Sequence, residues 1–272
     1  MTTNFDAASL AQAIRSVGSA EFYPAFCAYL RSCMAYDNVV VIVFDGSRVP
    51  AVEYRRTAGP DVFRFIESDY LTGAYVLDPV YHYHLERGAS GIYRLLDIAP
   101  DKFKRSRYYE WYYGRIGISD EISVILTVGA ELTVTVSMGK DGTSGEAFSA
   151  HDESALKAHE PVIRTLLELH VASAVPRSRA DVDEHSLIEL LMTVAEDHLD
   201  VHLSRRQAEV ALLILRGHSS PSIALHMGIS AQTVKVFRKQ LYKKCHISSQ
   251  AELFARFVPV LGLASQLQAY GG

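Results

Sequence analysis

Cysteine, tryptophan and long apolar runs are all scarce in this chain of 272 residues. Its three cysteines, Cys27, Cys33 and Cys245, are too few and too scattered for a disulfide framework, so they read as reduced thiols of a cytoplasmic protein. No apolar run approaches the ~20 residues that a membrane span needs. The start, MTTNFDAASL, lacks the basic and apolar blocks of a secretory signal. No nucleophile elbow, phosphate-binding glycine loop or metal-binding helix motif is present, so neither an enzyme nor a bound metal or cofactor is expected. His82 and His84 alternate with tyrosines, but the helix that Pro79 starts would turn them apart. What remains is ordinary globular composition, 49% hydrophobic and 21% charged, with length for two domains.

The net charge of -4 conceals an uneven distribution. From residue 201 onward the bases are Arg205, Arg206, Arg216, Lys235, Arg238, Lys239, Lys243, Lys244 and Arg256, against Glu209 and Glu252 alone. A basic tail on an acidic body points to double-stranded nucleic acid held by the tail, with the body kept away from the duplex by repulsion.

The tail carries its own punctuation. Ser204 and Gln207 form a capping box ahead of Val210, Leu213 and Ile214, and Gly217 ends that helix. Ser220 followed by Pro221 reads as an N-cap and first helical residue, and Gly228 closes this short second helix. Ser230 then caps a third helix from Ala231 to about Cys245. A short helix, a tight turn and a longer helix make a helix-turn-helix. On the third helix Val234, Phe237, Leu241 and Cys245 share the face expected to pack inward. Gln232, Lys235, Val236, Lys239 and Lys243 share the other. With Ser230, Thr233 and Arg238 they form the candidate DNA-contacting set, able to neutralise phosphates, bond guanine edges or touch a thymine methyl. The plain alternative is a solvated basic face.

These residues resemble the LuxR family of bacterial transcription regulators in its C-terminal DNA-binding module. The likeness is carried by Leu203, Ser204, Arg206, Glu209, Val210, Gly217, Ile223-Ala224, Ile229-Ser230, Thr233-Val234-Lys235, Lys244 and Ile247. It implies that Lys235, Val236 and Lys239 enter the major groove. Phe237 stands where the family usually has His, and Cys245 where it usually has Leu.

The front half reads as strands interleaved with helices. Asn38 to Phe44 is a continuous β-branched run, with Val49 to Tyr54 its partner across Asp45-Gly46. Glu121 to Val128 and Glu131 to Met138 form a hairpin over Gly129-Ala130. In the latter, Leu132, Val134, Val136 and Met138 alternate with Thr133, Thr135 and Ser137, as for one buried face. Helices are expected after Asp6, at Phe22 to Cys33, from Pro60, from Asp78-Pro79, from Pro100 to near Gly114, and over Ser154 to Ala174 with Pro161 interrupting. The fold class expected is α+β, an antiparallel sheet with helices on both faces resembling GAF or PAS sensors, followed by an all-α unit. The boundaries are 1–175 for sensing and dimerisation, 176–185 for a polar linker, and 186–272 for DNA binding. Ser186 and Glu189 open a further capped helix in the last unit.

The stretch FRFIESDYLTGAYVLDPVYHYHLERG resembles the signal-binding domain of quorum-sensing LuxR proteins, chiefly at Asp78-Pro79-Val80. There a Trp, a Tyr and an Asp hold an acyl-homoserine lactone. Here the Trp position falls on Phe65, which offers no indole N–H, and the Tyr position near Asp69 or Tyr70; only Asp78 is retained. Asp78 before Pro79 also suits an N-cap, one oxygen capping while the other faces a cavity. Tyr70, Tyr75, Tyr93 and Trp111 belong to an aromatic-rich set around it, which can form core, dimer face or an effector pocket. The candidate ligand set is therefore Phe65, Asp69, Tyr70, Tyr75, Asp78, Tyr93 and Trp111. The effector class is a lactone-like molecule or a small amine or polar metabolite. A homodimer joined through Ala251 to Leu263 and the Ser154 helix is expected, with RNA polymerase a further partner. Two rival readings stand beside this. One is phosphorylation at Asp45, after a buried strand; the other is a front domain that only dimerises a constitutive DNA binder.

Overall fold

The computed structural model describes residues 6–59, 62–145, 147–173 and 184–270, the last without side chains at 184–186 and beyond 261. Helices α1 (Ala7–Arg15) and α2 (Phe22–Cys33) lead into strands β1 (Asn38–Asp45) and β2 (Ala51–Thr57). Then come α3 (Pro79–Leu85), β3 (Gly91–Arg94), and the short turns α4 (Leu95–Ile98) and α5 (Gly114–Ile116). The hairpin β4 (Asp120–Val128) and β5 (Leu132–Lys140) follows, and α6 (Ala150–Ala158) and α7 (Glu160–Ser173) close the front unit. The back unit is α8 (Glu184–Leu199), α9 (Arg205–Arg216), α10 (Ser220–Met227), α11 (Ala231–Lys244) and α12 (Gln250–Tyr270).

The five strands form one sheet in the order β2-β1-β5-β4-β3, antiparallel at every pairing. The register sets Val41 opposite Val136, and Val136 opposite Val124. One face of the sheet packs on α1, α2, α6 and α7. Val39, Val41, Val124, Val134, Val136 and Met138 meet Phe22, Phe26, Leu30, Ile163 and Leu167 there, all buried. The opposite face is covered by the segment 62–116 and, beyond it, by the back unit. Val40, Ile42, Phe44 and Ile125 join Tyr70, Leu77, Tyr81, Phe103 and Tyr108 in one continuous core with α8, α9, α11 and α12. This is the expected sheet with helices on both faces. The polar alternates Thr133 and Thr135, expected on a solvated side, are each only 1% exposed, because residues distant in sequence cover them.

Local departures have local causes. Residues 100–114 form no single helix but a 3-10 turn at Phe103–Arg105 and a π turn at Tyr109–Tyr113, a shape that spreads the tyrosine rings. Another π turn, Ile66–Tyr70, stands where a helix from Pro60 was expected; Pro60 itself lies outside the described residues. The long helix after Ser154 is two helices, breaking at His159, just ahead of Pro161, and opened by a capping box from Ser149 and Asp152. Of the expected linker, residues 176–183 lie outside the described set, and Glu184 and His185 already belong to α8.

Candidate nucleic-acid interface and sensor cavity

The N-caps of α9, α10 and α11 are all serines whose side chains accept a backbone N–H. Ser204 accepts from the Gln207 N–H while Gln207 bonds back to Ser204 N at 3.0 Å. Gly217 and Gly228 adopt left-handed φ of 97° and 64° at the ends of α9 and α10. The N-cap of α10 is Ser219 rather than Ser220, so Pro221 stands second in the helix, equally free of any N–H requirement. Ser230 caps α11 by accepting from the Thr233 N–H at 3.0 Å.

Val234, Leu241 and Cys245 are fully buried under α11 and half-buried Phe237 packs on the same core, as its face predicts. Lys244 bonds the His202 carbonyl at 2.9 Å and Gln207 Oε1 at 3.0 Å, so this base ties α11 down. The other side of α11 is open: Gln232, Lys235, Val236, Lys239 and Lys243 are exposed, Val236 at 47%. Arg238 is half-buried, its Nε bonded to the Tyr242 hydroxyl at 3.1 Å. An isolated, half-exposed valine amid lysines on a fixed helix is chemistry for a groove floor between phosphate walls.

The front unit holds a cavity of ≈ 40 Å³ under the second face of the sheet, lined by Tyr70, Asp78, Tyr112, Tyr113, Glu121 and Ser137 together with Phe63 and aliphatic side chains. Asp78 does two jobs at once. Its Oδ1 accepts from the Val80 N–H at 2.8 Å and caps α3, and its Oδ2 accepts from the Tyr70 hydroxyl at 2.7 Å. Burial pushes this carboxyl up to about 6 despite both bonds. Glu121 is inward from β4, takes a 3.3 Å bond from Ser123, and is pushed up to about 7, chiefly by burial and then by the Asp78 charge. The Tyr108 hydroxyl, fully buried, has no hydrogen-bond partner among the described residues. Its ring stacks on Tyr112 at 5.8 Å.

Of the expected ligand set, Tyr70 and Asp78 meet in this cavity. Phe65 and Asp69 are taken by Arg115, which stacks 3.7 Å from the ring centroid and bonds the carboxylate at 2.8 Å. Asp69 and Trp111 line a different cavity of ≈ 460 Å³ that opens between the front unit and Phe254 of α12. Tyr75 is core, edge-on to Tyr81, and Tyr93 packs on Tyr83 and bonds the Ala89 carbonyl. Tyr112 and Tyr113, members of the aromatic-rich set around Asp78, also line it, and Glu121 and Ser137 are the polar lining residues that sequence reasoning missed. Strand alternation was the available signal: Glu121, Ser123 and Ile125 point one way, and Ile122, Val124 and Leu126 the other. His82 and His84 turn apart, to the Val76 carbonyl and to Thr133 with Gly46. Among the described residues no group of three metal-ligating side chains occurs. Asp45 ends β1 in an ion pair with Arg48 at 3.0 Å.

The two units touch through a polar seam. Asp101 Oδ1 accepts from the Ser219 N–H at 3.0 Å, the Lys102 N–H donates to the Gly217 carbonyl at 3.2 Å, and Trp111 meets Phe254 at 5.7 Å. A Cβ at Gly217 would stand 3.0 Å from Ser106 Cβ and 3.2 Å from Phe103 Cα, so the seam needs this glycine for room as well as for its φ.

Residues 201–257 match the family described as bacterial regulatory proteins, luxR family. A protein of Aeromonas salmonicida named as an HTH-type transcriptional regulator in the exeN 3' region is 30% identical over 179 residues, 64% of this chain and 90% of that protein. The chain belongs to the LuxR family of transcription regulators. Members of this family bind DNA, and it is not a class of enzymes. The crystal structure of the VqsR LBD domain from Pseudomonas aeruginosa matches 61% of this LuxR-family chain and 96% of its own, at 20% identity and a TM-score of 0.52, which supports the fold of the front unit. Escherichia coli SdiA aligns over 94% of this chain and 96% of its own at 17% identity, with a TM-score of 0.41. No helix among the described residues is long and apolar enough to cross a membrane.

Proposed function

We propose that this regulator is ligand-responsive. A small molecule in the cavity between Asp78 and Glu121 sets how well a dimer grips duplex DNA through α11. The observation that carries the DNA half is the divided α11, pinned by Val234, Leu241 and Lys244 while Lys235, Val236, Lys239 and Lys243 stand exposed. The dimer reading draws on α7, where Val162 and Leu169 are exposed seven residues apart and so share one outer face. Two copies of α11 would then read half-sites about one helical turn apart. The seam at Asp101 and Ser219 and the shared core give the cavity a physical path to the reading helix. A ligand shifts DNA affinity only by binding the competent and incompetent arrangements unequally.

The test is duplex binding by Lys235→Ala and Lys239→Ala across a salt series. Each should weaken binding by about 1–3 kcal/mol if it reads a base, and flatten the salt slope by about 0.9 if it neutralises a phosphate. Lys239→Ala should also alter sequence choice. Affinity and salt slope unchanged in both variants would remove α11 from the DNA.

A further inference from the structure

We propose that the sheet cavity takes a small organic cation, an alkylammonium, between the carboxylates of Asp78 and Glu121. This rests on the reading that the cavity is the effector site and adds the chemistry of its occupant.

Three observations converge. First, Asp78 and Glu121 face one cavity, 6% and 7% exposed, and no basic side chain contributes to holding either charge. Arg94 is committed to Asp120 and Glu153, and Arg115 to Asp69. A buried carboxylate normally has a counter-charge, and two without one leave a place that a positive group would fill. Second, behind the lining, the Tyr108 ring stacks on that of Tyr112, and its buried hydroxyl has no hydrogen-bond partner among the described residues. A native fold seldom keeps such a group idle. Third, Tyr70, Tyr112 and Tyr113 wall the same space, and tyrosine rings favour cations at their faces.

The volume limits the size. At roughly 10–15 Å³ per water-sized occupant, ≈ 40 Å³ holds about three or four heavy atoms, the scale of ethanolamine or propylamine. Donor and acceptor matching limits the type. An ionised carboxylate only accepts, an ammonium only donates, and a lactone presents its carbonyls as further acceptors. Asp78 alone could take an amide N–H; the added Glu121 is what turns the site toward a cation.

The experiment is calorimetric titration of the full chain with propylamine and ethanolamine, against 1-propanol and an acyl-homoserine lactone, at pH 8 and pH 5. The amines should bind and the neutral compounds should not. Amine affinity should fall about tenfold per pH unit once both carboxyls are protonated, below about pH 6. Glu121→Gln, which keeps the shape and removes the charge, should weaken the amines at least about tenfold, the worth of one charge-assisted bond. Equal binding by 1-propanol, tight lactone binding, or amine affinity indifferent to both pH and Glu121→Gln would overturn the cation while leaving the cavity as an effector site. No binding by any of the four compounds, with the wild type folded by circular dichroism, would overturn the cation and the effector reading together. The pH series on the wild type decides the matter even if the variant fails to fold.

Discussion

The two faces of the one sheet are buried alike and built from the same strands, yet they are made of different chemistry. Toward α2 and α7, β4 and β5 present Ile122, Val124, Leu126, Val134, Val136 and Met138. Toward the back unit they present Glu121, Ser123, Thr133, Thr135 and Ser137, each polar and mostly out of water. The first face is held by transfer of apolar surface, which needs no partner and tolerates no charge. The second also buries Val40, Ile42, Phe44 and Ile125, but its polar atoms need partners: Ser123 with Ser137 at 2.7 Å, Thr135 with the Ile42 carbonyl at 3.2 Å, and His84 with Thr133 at 2.8 Å. Glu121 accepts from Ser123 at 3.3 Å but has no basic group among the causes that set its charge. On the proposed function, stabilising and sensing work would be split across a layer one strand thick, with the sensing side turned toward the back unit.

The contrast can be broken in order of expected effect. Phe26→Ala, on the apolar face, should cost about 3–5 kcal/mol in denaturant unfolding and leave amine affinity unaltered where the protein stays folded. A loss under 1 kcal/mol would mean that this face is not the main support. Glu121→Gln, on the polar face, should have the opposite sign. The Glu121 carboxyl is raised from 4.5 to about 7, so the folded state binds more protons than the unfolded one. Wild-type stability therefore falls as pH rises from about 4.5 to about 7, and Gln escapes this penalty. At pH 8 the variant should be the more stable, by at most about 3 kcal/mol, and at pH 4 the gain should vanish. A gap that does not change with pH would show that Glu121 carries no buried charge. Asp101→Ala, at the seam, should change global stability by no more than about 1 kcal/mol, since the residue is exposed. Its mark should be local: faster hydrogen exchange at the Ser219 amide. Unchanged exchange there would dissolve the seam.

What could be read in the sequence followed how local the signal was. Ser204, Gly217, Gly228 and Ser230 each act within one turn of their own position, and the helix-turn-helix was legible almost residue by residue. The one slip, Ser220 for Ser219, reflects that Pro is tolerated anywhere in a first turn. The double duty of Asp78 was also legible, because capping and Pro79 are neighbours. Glu121 was not. It is only the first residue of an expected strand, with nothing local to announce that it would be buried. The aromatic run 103–113 misled for a related reason. Its tyrosines pack through 3-10 and π turns that side-chain periodicity does not announce. Phe65 and Asp69 were reasonable cavity walls until Arg115, far along the chain, claimed both.

The account's centre is that occupancy of the polar-face cavity alters the grip of α11 on DNA. Its most direct test is duplex affinity of the full chain at pH 7.5, by fluorescence anisotropy, with and without propylamine at a concentration that calorimetry shows to saturate the site. The affinity should shift on saturation in the wild type, and the same concentration should leave Glu121→Gln unmoved. A wild-type affinity that is identical with the cavity empty and filled would contradict the account.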